Sequence, residues 1–150
     1  MKDSNIQIFD SEYIGLETDS AFMESALSCV GNEEKVNIIG ANFIFLGDEE
    51  LRNVNKQYLD RDDYTDVISF NLSEDENVEG EVYLSYDRVK ENSDFYDVSA
   101  EQELIRVMVH GLLHLIGYQD KTEAEKNQMT EKEDHYLSKC LKYKNGKDNR

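Results

Sequence analysis

Residues 99–120 read SAEQELIRVMVHGLLHLIGYQD, and this stretch decides the fold. Leu104, Ile105, Met108, Leu112, Leu115 and Ile116 recur at helical spacing and give a wide apolar surface, which predicts a central, largely buried helix. Ser99-Ala100-Glu101-Gln102 is a capping box that opens it. His110 and His114 stand four residues apart, so they share one face about one turn apart and can chelate a single metal ion. Gly117 can adopt the left-handed conformation that ends a helix and turns the chain. Asp120 can then fold back as a third ligand. Three protein ligands with an open position make a catalytic metal centre rather than a structural one. A histidine on an apolar helix face is often only a hydrogen-bonded core residue. The glycine turn and the carboxylate beyond it favour the metal, because zinc hydrolases place a third ligand after such a turn.

The details of the motif narrow the chemistry. Zinc proteases with this helix carry Glu directly after the first histidine as the general base, and here Gly111 stands in that position. The metal scaffold is present and the protease's base is missing. Asp120 lowers the charge of a Zn²⁺ site by one relative to three imidazoles, so water there is slightly less acidified. Two histidines and one carboxylate suit one Zn²⁺ first, and also Ni²⁺, Mn²⁺ or Fe²⁺.

The composition sets further bounds. A chain of 150 residues is read as a single domain, 1–150, with one core. No apolar run approaches the roughly 18 residues of a membrane span, and Met1–Asn5 lacks an apolar signal core. Cys29 and Cys140 lie far apart and read as free thiols of a reducing cytoplasm. The formal charge is −17, without the basic footprint of most nucleic-acid binders. Lys139, Lys142, Lys144, Lys147 and Arg150 make residues 139–150 a basic tail, read as a frayed terminus.

Outside the metal helix, a strand is expected at Ile6–Phe9, then a helix capped by Asp19 and running to about Val30, with Ala21, Phe22, Ala26, Leu27 and Val30 inward. Gly31-Asn32 should end it. Ala41–Leu46 reads as a strand, and Asp48 as the cap of a helix carrying Leu51, Val54, Asn55 and Tyr58. Asp66–Asn71 and Glu81–Tyr86 read as strands flanking an acidic loop, Leu72–Glu79. Thr122-Glu123-Ala124-Glu125 is a second capping box, opening a helix to about Leu141 with Met129, Tyr136 and Leu137 inward and His135 at the surface. The order is β-α-β-α-β-β-α-α. It predicts an α+β fold: a mixed sheet of about four strands with the metal helix packed on it and a zincin-like site at that helix's C-terminal end.

His-Gly-x-Leu-His-Leu-x-Gly-Tyr at 110–118 resembles the signature of the YbeY-type endoribonucleases, small bacterial metalloproteins tied to ribosomal RNA maturation. That family closes the pattern with Asp-His, where this chain has Gln119-Asp120, so its third ligand maps onto Asp120. Val54-Asn55-Lys56-Gln57-Tyr58 with Thr65-Asp66-Val67-Ile68-Ser69-Phe70, and Gly80-Glu81-Val82-Tyr83-Leu84-Ser85, are similar to two further family blocks in the same order. The family's arginine after the aromatic residue falls on Leu59, with Arg61 two residues on, and its proline falls on Tyr64. The resemblance implies a metal-dependent, single-strand-specific endoribonuclease of the cytoplasm, acting on the 16S rRNA 3′ end in ribosome maturation and quality control, with the small subunit or its proteins as partners. On that reading His110, His114 and Asp120 hold the metal. No residue of the motif is an evident general base: water at the metal suffices alone, or Asp66 or Glu81 assists it; Arg61 and Arg106 are candidate phosphate contacts, and Thr65 and Ser69 shape the cleft. Two rivals remain at this point: a zinc peptidase, and a metal-stabilised ribosome-assembly protein without turnover.

Overall fold

Val78, Gly80, Val82 and Leu84 are buried while Glu79 is exposed and Glu81 and Tyr83 are half-buried, the two-residue period of a strand with one face on the core. This strand, β4 (Val78–Ser85), organises the sheet in the computed structural model, which describes residues 5–9 and 20–145. It runs parallel to β2 (Ile38–Leu46) and antiparallel to β3 (Val67–Asn71), while β1 (Ile6–Phe9) lies parallel to β2 on the far side. The strand order β1-β2-β4-β3 makes a mixed four-stranded sheet. Five helices complete the fold: α1 (Ser20–Glu34), α2 (Asp48–Leu59), α3 (Tyr86–Tyr96), α4 (Ala100–Ile116) and α5 (Glu123–Asn145). The expected α+β architecture is present.

The buried α4 is the expected metal helix. Ser99 caps it, its hydroxyl accepting from the Gln102 N–H at 3.0 Å. Leu104, Ile105, Met108, Leu112 and Leu115 are buried in the core. The helix lies on the β3–β4 side of the sheet: the Ser69 hydroxyl donates to the Gly111 carbonyl at 3.1 Å and the Asn71 amide to the Leu115 carbonyl at 3.4 Å. A Cβ on Gly111 would come within 2.6 Å of Val82 Cγ1, so only glycine permits this close an approach.

Several elements differ from expectation. Tyr86 does not end a strand but begins α3, an additional helix capped by Ser85, whose hydroxyl accepts from the Arg88 N–H at 3.2 Å. Helix α1 continues through Gly31-Asn32 to Glu34. The turn is made at Lys35, left-handed at φ 62° without glycine, and the Val36 N–H closes it on the Gly31 carbonyl at 3.1 Å. Met23 replaces Ala21 and Phe22 on its fully buried face. Gly47, not Asp48, caps α2, its N–H donating to Glu50 Oε1 at 2.9 Å; Asp48 is held instead by Arg88, with Nε at 3.1 Å. Thr122 forms its capping box with Glu125 as expected, at 3.1 and 3.0 Å. Helix α5 runs on to Asn145, and Lys139 pairs with Glu33. Asp19, Lys147 and Arg150 lie outside the described residues.

Glu34 ties three parts of the molecule together. Its nearly buried carboxylate, 8% exposed, accepts from Tyr118 Oη at 2.7 Å, from Lys132 Nζ at 3.0 Å and from the Tyr136 hydroxyl. Burial pushes its pKa up, and the three donors outweigh burial and hold it below the ordinary 4.5. A depressed folded-state pKa adds stability that is present above the unfolded value and lost as pH falls through the folded one. Glu34→Gln should therefore cost about 2 kcal/mol at pH 7, within the range for hydrogen bonds to a charged group. In urea titrations over pH, the gap to wild type should close as pH falls below 4.5.

Candidate metal centre

Helix α4 ends where Gly117, at φ 129°, donates its N–H to the carbonyls of Leu113 at 3.0 Å and His114 at 3.1 Å. The turn returns the Tyr118 carbonyl to His114, whose Nδ1–H donates to it at 2.9 Å. Helix α5 reaches the other histidine: His110 Nδ1 lies 2.5 Å from Glu133 Oε2. Each imidazole is thus fixed through Nδ1, which leaves Nε2 as the ligating atom. The two Nε2 atoms are 3.1 Å apart, and Asp120 Oδ2 stands 3.4 and 3.3 Å from them.

This triangle fits a cation. A tetrahedral metal with bonds of about 2.0–2.1 Å sets its ligand atoms about 3.3–3.4 Å apart. The three side chains are partly exposed, at 23%, 24% and 39%, so one side faces the cleft. His110, His114 and Asp120 form the group among the described residues that could hold a metal ion. Burial works against the charged form of His110, but the Glu133 hydrogen bond and charge outweigh it and raise the His110 pKa. Cation binding at His110 therefore competes with its protonation.

The expected site residues separate in space. Asp66 lines the cleft of about 1000 Å³ that contains the triad, together with Arg61, Thr65 and Ser69. Burial pushes the Asp66 carboxyl upward, opposed chiefly by the charge of His110. Arg61 stands at the rim, 68% exposed, with Nη2 3.1 Å from Asp63. Glu81 is not at the site: Val82 faces α4, so Glu81 points to the opposite sheet face, where its Oε1 accepts from Tyr83 Oη at 2.8 Å. The Arg106 guanidinium is engaged in ion pairs, held by Glu133 at 3.0 Å and Asp134 at 2.8 Å. His135 pairs with Glu33 at the surface, as expected.

Two residues around the site were not anticipated. Lys121 lines the cleft beside Asp120. Glu133 supports His110, and its signal was in the sequence: it occupies the same α5 face as Met129, Tyr136 and Leu137, a carboxylate set in an apolar stripe.

The fold and the donor set define a class: an α+β protein with a helix-borne His–His–Asp centre of the metallohydrolase kind. Comparison with known proteins sharpens it. The sequence profile of the family described as Endoribonuclease YbeY matches residues 5–141. The Endoribonuclease YbeY of Cytophaga hutchinsonii is 41% identical over 139 residues, covering 92% of this chain and 97% of the relative. That of Flavobacterium johnsoniae is 37% identical over 130 residues, covering 87% and 92%. The solution structure of TM1509 from Thermotoga maritima superposes with a TM-score of 0.66 at 25% identity, covering 98% of this chain and 97% of that one. The chain belongs to the YbeY endoribonuclease family, in agreement with the resemblance carried by residues 54–118.

Glu133→Gln keeps the size of the side chain and removes the charge behind His110. Metal affinity, measured by competition with a chromophoric chelator, should fall about 10- to 100-fold, the usual effect of losing a carboxylate that orients a ligand. Unchanged affinity would remove Glu133 from the site.

Proposed function

We propose that this chain is a metal-dependent endoribonuclease that cuts single-stranded RNA in the α4 cleft. The observation that carries the reading is the convergence of His110 Nε2, His114 Nε2 and Asp120 Oδ2 within 3.1–3.4 Å of one another on the cleft wall. Family membership supports RNA as the substrate. The site suits one divalent ion, Zn²⁺ first and Ni²⁺, Mn²⁺ or Fe²⁺ by the same donor chemistry. We assign the physiological role to maturation of the 16S rRNA 3′ end in the cytoplasm, the role the family resemblance implies. No helix among the described residues is long and apolar enough to cross a membrane.

A bound cation would supply Lewis acidity toward a phosphoryl oxygen and would acidify nearby water. The protein's residues do the rest. Glu133 and the Tyr118 carbonyl hold the two imidazoles in the ligating tautomer. Asp66, on the cleft wall and raised in pKa by burial, is placed to accept a proton from the attacking water as general base. Arg61 and Lys121 offer positive charge to the phosphates entering the cleft. A peptidase mechanism lacks its base, since the residue after His110 faces Val82 with no space for a carboxylate.

The −17 charge opposes unaided capture of RNA, and Leu59 stands on the cleft wall where the family has arginine. Those two facts favour delivery of the substrate by the small ribosomal subunit or its proteins. They also sustain a second reading, a ribosome-assembly protein that binds metal without turnover.

Purified protein should cleave a labelled single-stranded RNA, lose activity on chelation and regain it with metal. His114→Ala should fall by at least about 10³-fold, the several kcal/mol a catalytic cation supplies. Equal cleavage by wild type and His114→Ala would contradict the reading. Binding to small subunits without any cleavage would favour the second one.

A further inference from the structure

Helix α3 ends in a pair of aromatic residues that nothing in the fold uses. Phe95 is 81% exposed, the most exposed large hydrophobic among the described residues, and Tyr96 is 62% exposed. Their rings meet edge to face at 5.0 Å. Large apolar side chains left in water forgo the gain of burial, so an exposed pair marks a contact surface. Tyr96 also borders a cavity of about 380 Å³, whose other walls include Asn92, Gln102, Arg106 and Asp66. Asp66 lines the metal cleft as well, so the two hollows share a wall.

Resting on the endoribonuclease reading, we propose that Phe95 and Tyr96 form a stacking platform for a base of the substrate RNA, with the adjoining cavity receiving an unstacked base next to the scissile phosphate. Two observations favour a nucleic-acid strand as the occupant, and the chain's charge sets how it would be held. The cavity adjoins the metal cleft, with Asp66 lining both. Its wall carries the side-chain amides of Gln102 and of Asn92, whose Nδ2 donates to Asp66 Oδ2 at 3.3 Å, polar groups of the kind that base edges recognise. The net charge of −17 leaves little electrostatic attraction for phosphates, and stacking on an aromatic face supplies affinity that does not depend on charge. The platform also accounts for selection of single strands, whose bases are free to unstack, whereas those of a duplex are not.

The test measures the affinity of full-length protein for a short fluorescent single-stranded RNA, by anisotropy, in a His114→Ala background that prevents cleavage. Adding Phe95→Ala and Tyr96→Ala together should weaken binding about 5- to 100-fold, the span of one to two base-stacking contacts. Tyr96→Phe keeps the ring and should retain affinity. RNAs made abasic at successive positions should show one position whose loss weakens wild type but not the double alanine variant. That non-additivity assigns the platform to one nucleotide. With His114 intact, the double alanine variant should keep its metal content and melting temperature, because both side chains are exposed. Unaltered RNA affinity in the double variant overturns the platform, as does a change in its sedimentation mass, which would make the pair a self-association surface. If cleavage by the wild-type protein persists in those cases, only the platform falls. If the wild-type protein neither binds nor cuts RNA, the endoribonuclease reading falls with it.

Discussion

Helix α4 lies on the sheet with Gly111 against Val82, where a single added carbon would sit 2.6 Å from a methyl group. That close seat sets the rest of the site. It sinks Leu104, Met108, Leu112 and Leu115 into the core and fixes the rotation of the helix about its axis. With that rotation fixed, His110 and His114 can face only the cleft beside β3. Gly111 therefore has a double meaning. It lets the helix approach the sheet, and it stands where a zinc protease would keep its base, so the packing that builds this centre also removes it from peptide hydrolysis.

The electrostatics of the cleft run against those of the chain. A molecule of net charge −17 has no general attraction for RNA, yet it concentrates cation-binding groups at one point. Each ligand is oriented by a different element. Glu133 of α5, itself held by Arg106, fixes His110; the carbonyl of Tyr118 fixes His114; the turn at Gly117 brings in Asp120. Tyr118 is in turn anchored through its hydroxyl to Glu34 at the end of α1. The centre is thus the meeting point of α1, α4 and α5, and its geometry is as stable as their packing. On the proposed function, RNA recognition comes from outside general charge: from the cation, from Arg61 and Lys121 at the cleft, and from the proposed platform at the end of α3.

Much of this was legible in the sequence because it depends on local rules. The i, i+4 histidines, the glycine turn, the caps at Ser99 and Thr122 and the alternation of Val82 and Leu84 are all patterns of a few residues. What was missed depends on contacts far apart in the chain or on weak local signals. Helix α3 has only Val89 as a buried apolar residue, too little for a period to show. Lys35 ends α1 in a left-handed conformation without the glycine that usually marks one. Arg106 looked available for phosphate until α5 brought Glu133 and Asp134 against it, 27 and 28 residues away. Glu81 has the right chemistry for a base, but the strand's two-residue period puts it on the wrong face of the sheet.

The central claim is the ligand set, and X-ray absorption at the zinc edge of the stoichiometrically loaded protein tests it most directly. The account predicts a shell of nitrogen and oxygen at about 2.0–2.2 Å, with the multiple scattering of two imidazoles and no sulfur. A sulfur at about 2.3 Å, or a shell without imidazole, would show that the metal binds elsewhere and would contradict the account.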